Sequence, residues 1–222
     1  MLKLNELFQT IQGEGVFTGV PAIFIRLQEC PVGCSWCDTK QTWDATPTDE
    51  TNTQTIIEKQ GDSPLWCQVS EQDLIDIYQQ QGFTAKHIVI TGGEPCIYDL
   101  TKLTQAFEAI GCQCQIETSG TSSVKCSDDT WVTVSPKIGM GGKLPVLDQA
   151  LLRANEIKHP VARERDIEQL DELLVNAGVP ENTVIALQPI SQGKRATELC
   201  IETCVSRNWR LSVQTHKYLD IA

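Results

Sequence analysis

Cys30, Cys34 and Cys37, separated by three residues and then by two, stand in the run CPVGCSWC, just after the apolar stretch AIFIRL at 22–27. Three thiolates on one loop can converge on a small inorganic centre. A 4Fe–4S cube has four irons and usually takes four cysteine thiolates, so a three-thiolate loop leaves one iron open to a ligand that is not protein. A closed structural zinc would want four ligands, commonly from paired knuckles. No second knuckle lies nearby: the next cysteine, Cys67, is isolated, and the first histidine is His87.

A reactive centre has to be held, and the periodicity of the chain says by what. Short β-rich runs recur at 22–27, 87–91, 113–117, 131–134, 156–159 and 184–188. Helical patterns fall between them at 71–81, 100–110, 146–154, 167–177 and 196–207. Such alternation predicts an α/β fold with a parallel sheet wound by right-handed crossovers. Chemistry then collects at the carboxyl ends of the strands. The cysteine loop, Gly92-Gly93-Glu94-Pro95, Thr118-Ser119-Gly120 and Ser135-Pro136-Lys137 each follow one of the first four runs. The repeats are too few for a full eight-unit barrel, so a partial barrel of about six strands is expected. The polar stretch at 45–54 opens an insertion reaching to 69, which reads as a surface excursion. The whole chain, 1–222, reads as one domain carrying that insertion.

Composition narrows the partners. Eighteen basic against twenty-nine acidic residues give a formal net charge of −11, which repels nucleic-acid phosphates and favours a small-molecule substrate. Hydrophobic residues at 41% fit a globular protein. Neither a secretory h-region nor a membrane-spanning run is evident, so no membrane partner and a cytoplasmic location are expected. Ten cysteines in such a chain are expected as free thiols rather than a disulfide framework. Cys112 with Cys114, on a strand, and Cys200 with Cys204, on one helical face, are expected to pack.

The cysteine loop together with a Gly-Gly strand end resembles the radical S-adenosylmethionine superfamily. The resemblance implies that the open iron is chelated by the amino and carboxylate groups of S-adenosylmethionine, whose one-electron cleavage yields a 5′-deoxyadenosyl radical. The fold it implies is a partial (β/α)6 TIM-like barrel, with the insertion following the cluster loop. A closer resemblance comes from FQTIQGEG at 8–15, GVP at 19–21, FIR at 24–26, WCDT at 36–39, TGGEP at 91–95, ETSG at 117–120, SPK at 135–137 and QTHK at 214–217. These are similar, nearly end to end, to the 7-carboxy-7-deazaguanine synthase family, in its enterobacterial type.

That family resemblance implies a carbon–nitrogen lyase. It converts 6-carboxy-5,6,7,8-tetrahydropterin to 7-carboxy-7-deazaguanine with loss of ammonia, a step toward queuosine and other 7-deazapurines. It further implies Cys30, Cys34 and Cys37 as cluster ligands and Thr39 as a Mg2+ ligand. S-adenosylmethionine is expected on Trp36, Cys37, Asp38, Gly93, Ser135, Pro136 and Lys137, and the pterin on Ile11, Gln12, Gly13, Arg26 and Thr91. A homodimer and an electron donor such as a flavodoxin are implied as partners. Read alone, Thr39 is as well a helix cap and Arg26 a surface ion pair; with a substrate carboxylate, the Arg26 fork suits two parallel hydrogen bonds. Glu94 is expected to accept from an ammonium group, and Glu14, Glu117 and His216 to line or support the pocket.

One position departs from the family pattern. Glu29 stands where most members have glycine, so an easy left-handed backbone is not expected there, and its charge beside the cluster is expected to lower the reduction potential slightly. Two other functions remain open from the residues. A glycyl-radical-enzyme activase shares the loop but needs no acid clamp, and a metal-stabilised binding module would carry no catalysis.

Overall fold

The computed structural model describes residues 1–219; positions 220–222 of the expected domain lie outside the described residues. The chain opens on β1 (Leu2–Ile11), turns through a 3-10 segment and returns as β2 (Pro21–Leu27). After the cysteine loop come α1 (Thr53–Ile57), β3 (Cys67–Val69), α2 (Glu71–Gln80) and β4 (His87–Gly92). Then follow α3 (Thr101–Ala109), β5 (Gln113–Thr118), β6 (Trp131–Val134), α4 (Asp148–Arg153), β7 (Glu156–Val161) and α5 (Glu164–Ala177). The chain closes on β8 (Val184–Pro189), α6 (Lys194–Arg207), β9 (Arg210–Leu211) and α7 (Thr215–Leu219).

The described strands form one nine-stranded sheet in the order β3-β1-β2-β4-β5-β6-β7-β8-β9. From β2 to β9 every pairing is parallel, while β1 runs antiparallel to both β2 and β3. Side chains alternate across the sheet. Ile23, Ile25, Ile88, Ile90, Ile116, Val132, Val134 and Ile157 are fully buried, on the strand positions that face the covering helices. The intervening positions, among them Arg26, Thr91, Glu117, Ser135, Lys158 and Gln188, line one common cavity with Phe8 of β1. Residues from opposite ends of the strand order share a cavity because the sheet curls into a partial barrel.

Local chemistry sets the helix ends. Ser70 and Asp73 form a reciprocal capping box before α2, which satisfies two otherwise orphaned amides. Gly178 closes α5 in the left-handed conformation, as a C-terminal glycine does at little cost. Under the sheet, Phe107 of α3 is fully buried among Leu74, Tyr78 and Leu103; truncating such a side chain costs about 3–5 kcal/mol.

All six expected strands and all five expected helices are present, but the strand count is larger than expected. Three strands escape the sequence pattern. In β1 the alternation is broken by a register shift between Leu4 and Glu6, β9 is two residues long, and β3 sits in the segment read as a surface excursion. That reading also needs correction. Within 45–69, Ile56 and Trp66 are buried and β3 extends the sheet edge, so the polar composition hides a packed unit.

Candidate active site

The cysteine loop leaves β2 and is held from several sides. Glu29 N donates to Thr42 O at 2.7 Å and Cys30 N to Trp43 O at 3.0 Å. On the far side Gly142 N donates to Val32 O at 2.9 Å. Cys30, Cys34 and Cys37 all face a cavity of about 550 Å³ at the carboxyl ends of the parallel strands. Burial pushes the Cys30 thiol up to about 11 and raises that of Cys34, which Lys137 partly offsets. Thiolates at these positions therefore want compensating positive charge, which iron supplies. Cys37 Sγ already accepts from Thr39 N and from Trp43 Nε1, both at 3.4 Å. Among the described residues no three Cys, His, Asp or Glu side chains close on a point as one ion requires.

Beside the loop, the strand-end glycines let backbone approach backbone. A Cβ on Gly93 would meet Glu29 O at 2.1 Å, and Gly92 adopts φ +128° against Leu27. Gly93 N donates to Leu27 O and Glu94 N to Glu29 O, both at 2.8 Å, so the cluster loop and the β4 end are joined through main chain. Glu29 itself corrects an expectation: its φ is +80°, the left-handed backbone that glutamate disfavours. The bonds to Thr42 and Glu94 dictate that backbone. Its carboxylate turns to Lys3 Nζ at 2.8 Å and Tyr98 Oη at 3.0 Å, so Lys3 offsets part of its charge.

Glu94 is a second correction. Its Oε1 accepts from Cys96 N at 3.0 Å and Thr118 Oγ1 at 2.6 Å, and its Oε2 from Ser119 N at 2.8 Å and from Ser119 Oγ. All four lone-pair positions are taken, so this buried carboxylate ties the ends of β4 and β5 together instead of reaching for an ammonium group.

Thr39 opens a one-turn 3-10 helix, yet its hydroxyl makes no cap bond. It lies in the cavity wall, 3.6 Å from Cys37 Sγ and 3.4 Å from Gly92 O. Trp36 is 40% exposed on the cavity rim, and Asp38 accepts from Lys217 Nζ at 3.0 Å. Lys137 Nζ donates to Ser135 Oγ at 2.6 Å, and burial lowers its pKa. Pro136 is buried between them but is not among the cavity-lining residues.

Of the segment expected to meet a pterin, Ile11 is half-exposed on the cavity. Gln12 is buried, its Nε2 donating to Gln115 Oε1 at 3.2 Å and its Oε1 accepting from Glu14 N at 3.0 Å. Gly13 O accepts from Thr215 N and Oγ1, both at 2.9 Å, which draws the β1–β2 turn onto the last helix with His216 above it. Thr91 and Arg26 are register partners on β4 and β2. Arg26 donates through Nε to Glu6 Oε2 at 2.6 Å and lies 5.8 Å from the Phe8 ring centre, with Phe8 stacked on Phe24.

Lys158 on β7, which sequence reasoning passed over, sits at the floor of the cavity. It bridges Glu14 Oε2 at 2.7 Å and Glu117 Oε2 at 2.8 Å. Burial works against charge on all three. One ammonium cannot fully compensate two carboxylates, so they part: Lys158 holds Glu14 down to about 2, while burial carries Glu117 up to about 7. Lys158 stays protonated, its pKa raised by both carboxylates against its own burial. A lysine alternating with apolar residues on a core strand was the available signal.

No family model matches the chain. Individual relatives do. It is 62% identical over 219 residues to the 7-carboxy-7-deazaguanine synthase of Escherichia coli K12, spanning 99% of this chain and 98% of that protein. To the synthase of Buchnera aphidicola it is 50% identical over 218 residues, 98% of each. To that of Flavobacterium psychrophilum it is 39% identical over 223 residues, 100% of this chain and 93% of the relative. The crystal structure of QueE from Escherichia coli superposes with a TM-score of 0.93 at 60% identity, covering 96% of this chain and 93% of that one. Identity at this level, held from end to end through the cysteine loop, the strand-end glycines and the fold alike, means that the chain belongs to the 7-carboxy-7-deazaguanine synthase family.

Proposed function

We infer that this protein catalyses the radical ring contraction of 6-carboxy-5,6,7,8-tetrahydropterin to 7-carboxy-7-deazaguanine with release of ammonia, as a carbon–nitrogen lyase of queuosine and 7-deazapurine biosynthesis. The observation that carries the reading is the convergence of Cys30, Cys34, Cys37, Gly93 and Arg26 on one cavity, in a chain 62% identical along its length to a named synthase. We read residues 1–222 as one radical S-adenosylmethionine core domain with 45–69 as an insertion.

Cys30, Cys34 and Cys37 would hold the 4Fe–4S cluster, with Trp36, Cys37, Asp38, Gly93, Ser135, Pro136 and Lys137 about S-adenosylmethionine. When bound, these groups supply a one-electron bond cleavage that delivers a carbon radical able to remove hydrogen from substrate. The chain's own work is positioning and exclusion of water. Arg26 presents its fork to the substrate carboxylate, which a lysine could not grip in the same plane. Thr91, Ile11, Gln12 and Gly13 border the heterocycle, and Phe8 and Phe24 keep that wall dry. Glu117, its carboxyl raised to about 7 chiefly by burial, is our candidate for exchanging a proton with the departing nitrogen. Thr39 Oγ1 is our candidate Mg2+ ligand, a hard-oxygen donor that would leave other positions to water and the substrate. A homodimer, a flavodoxin-like electron donor and a cytoplasmic location fit the family. The described residues contain no helix long and apolar enough to cross a membrane.

The test is anaerobic turnover of the carboxylated pterin with dithionite and S-adenosylmethionine, with and without Mg2+, followed by mass spectrometry. A product lighter by ammonia is expected, at a higher rate with Mg2+. Cofactor cleavage without that product would refute the assignment, and an Arg26→Ala enzyme with unchanged KM would refute the clamp.

A further inference from the structure

We propose that Lys59, carried by the 45–69 segment, is a positioning residue that acts through Glu6 to keep the Arg26 fork free for the substrate carboxylate. The proposal rests on Arg26 being that clamp.

The register of β1 against β2 shifts between Leu4 and Glu6, which leaves Asn5 without a strand partner and sets Glu6 directly opposite Arg26. Bulges of this kind re-aim side chains beside active sites. Asn5 is fully buried, and its Nδ2 donates to Ser63 O and Leu65 O, both at 3.0 Å, and to Gln28 Oε1 at 2.8 Å. The 45–69 segment is therefore fastened to the bulge. From it Lys59 reaches in, its side chain only 5% exposed, with Nζ donating to Asn5 Oδ1 at 2.9 Å and Ser63 O at 3.3 Å.

The same ammonium lies 3.5 Å from Glu6 Oε1, while Glu6 Oε2 takes Arg26 Nε at 2.6 Å. Each oxygen of Glu6 thus has its own cation. A carboxylate facing an arginine alone tends to grip it with both oxygens, which would turn the Nη edge away from the cavity. Lys59 on Oε1 prevents that second contact. A purely structural role through Asn5 Oδ1 and Ser63 O would instead weaken both ligands alike, because loss of those bonds leaves buried acceptors unpaired whatever the ligand carries.

The test uses the anaerobic, cluster-loaded enzyme with S-adenosylmethionine and Mg2+, and compares the carboxylated tetrahydropterin with the same pterin lacking the 6-carboxylate, by calorimetry and by KM. Lys59→Met is expected to weaken the carboxylated ligand about tenfold, a coupling of ordinary size for neighbouring charges, through KM more than kcat, and to leave the decarboxylated ligand unchanged. Lys59→Arg is expected to restore the preference. In a Glu6→Gln background Lys59→Met is expected to add nothing, because the lysine acts only through Glu6. Equal losses for both ligands, or a Lys59 effect that persists in the Glu6→Gln background, would overturn the proposal while leaving the clamp standing. Should Lys59→Met not fold, the preference retained in full by Lys59→Arg and Lys59→Gln alike would overturn it. An Arg26→Ala enzyme that still prefers the carboxylated ligand would remove the clamp, and the proposal with it.

Discussion

Glu117 offers the sharpest quantitative test of the cavity floor. Its carboxyl is moved from an ordinary 4.5 to about 7, chiefly by burial, with Lys158 pulling down and Glu14 pushing up. Because the folded value lies above the unfolded one, the folded state binds the proton more tightly. The stability this contributes is complete below pH 4.5 and disappears as pH rises through about 7. At about 1.4 kcal/mol for each pH unit between the two values, the loss between pH 5 and 8 is roughly 2–3 kcal/mol. Glu117→Gln keeps the shape and cannot titrate. Anaerobic urea unfolding of both proteins across this range should show the variant gaining by that amount relative to the native chain. The difference matters because His87, His159 and His216, all with pKa values lowered by burial, contribute stability that grows with pH and cancels between the two. Parallel curves would mean that Glu117 ionises like a surface carboxylate. A difference of opposite sign would mean that the bond to Lys158 outweighs burial.

Other expectations concern the cluster loop. Cys34→Ala should abolish cofactor cleavage, so deoxyadenosine formed by that variant under reducing conditions would contradict the ligand assignment. Gly93→Ala places a Cβ 2.1 Å from Glu29 O; we expect a loss of about 2–3 kcal/mol and a melting temperature lower by roughly 5–10 °C, and an unshifted melt would show that the two strand ends are not in contact. Glu29→Gly relieves a positive φ worth about 1–2 kcal/mol and loses a half-buried ion pair worth about 1 kcal/mol. Its stability should therefore stay near that of the native chain, while anaerobic potentiometry is expected to read a slightly higher cluster potential; an identical potential would show that Lys3 already neutralises the charge.

The alternation of β-rich runs and helical patterns was legible because the parallel strands present mostly buried apolar side chains, Ile and Val foremost, to the helices. The bulged β1 was not, since Asn5 and Glu6 spoil a period of two that only the partner strand explains. In the 45–69 segment, polar residues cover the outside of a unit whose buried side, Ile56 and Trp66, is short in sequence.

The chemistry of the cavity was set by residue type and spacing. Three thiols on one loop, glycines at a strand end and an arginine at the end of the neighbouring strand are local facts, and local facts survive in a linear text. Which charged groups meet across the barrel was decided only by folding. Glu14 and Lys158 are 144 residues apart, Glu94 and Ser119 are 25 apart, and Lys59 reaches Glu6 of β1 from the loop after α1. Coulombic coupling depends on distance in space and on exclusion of water, and the chain acquires both only when the sheet curls.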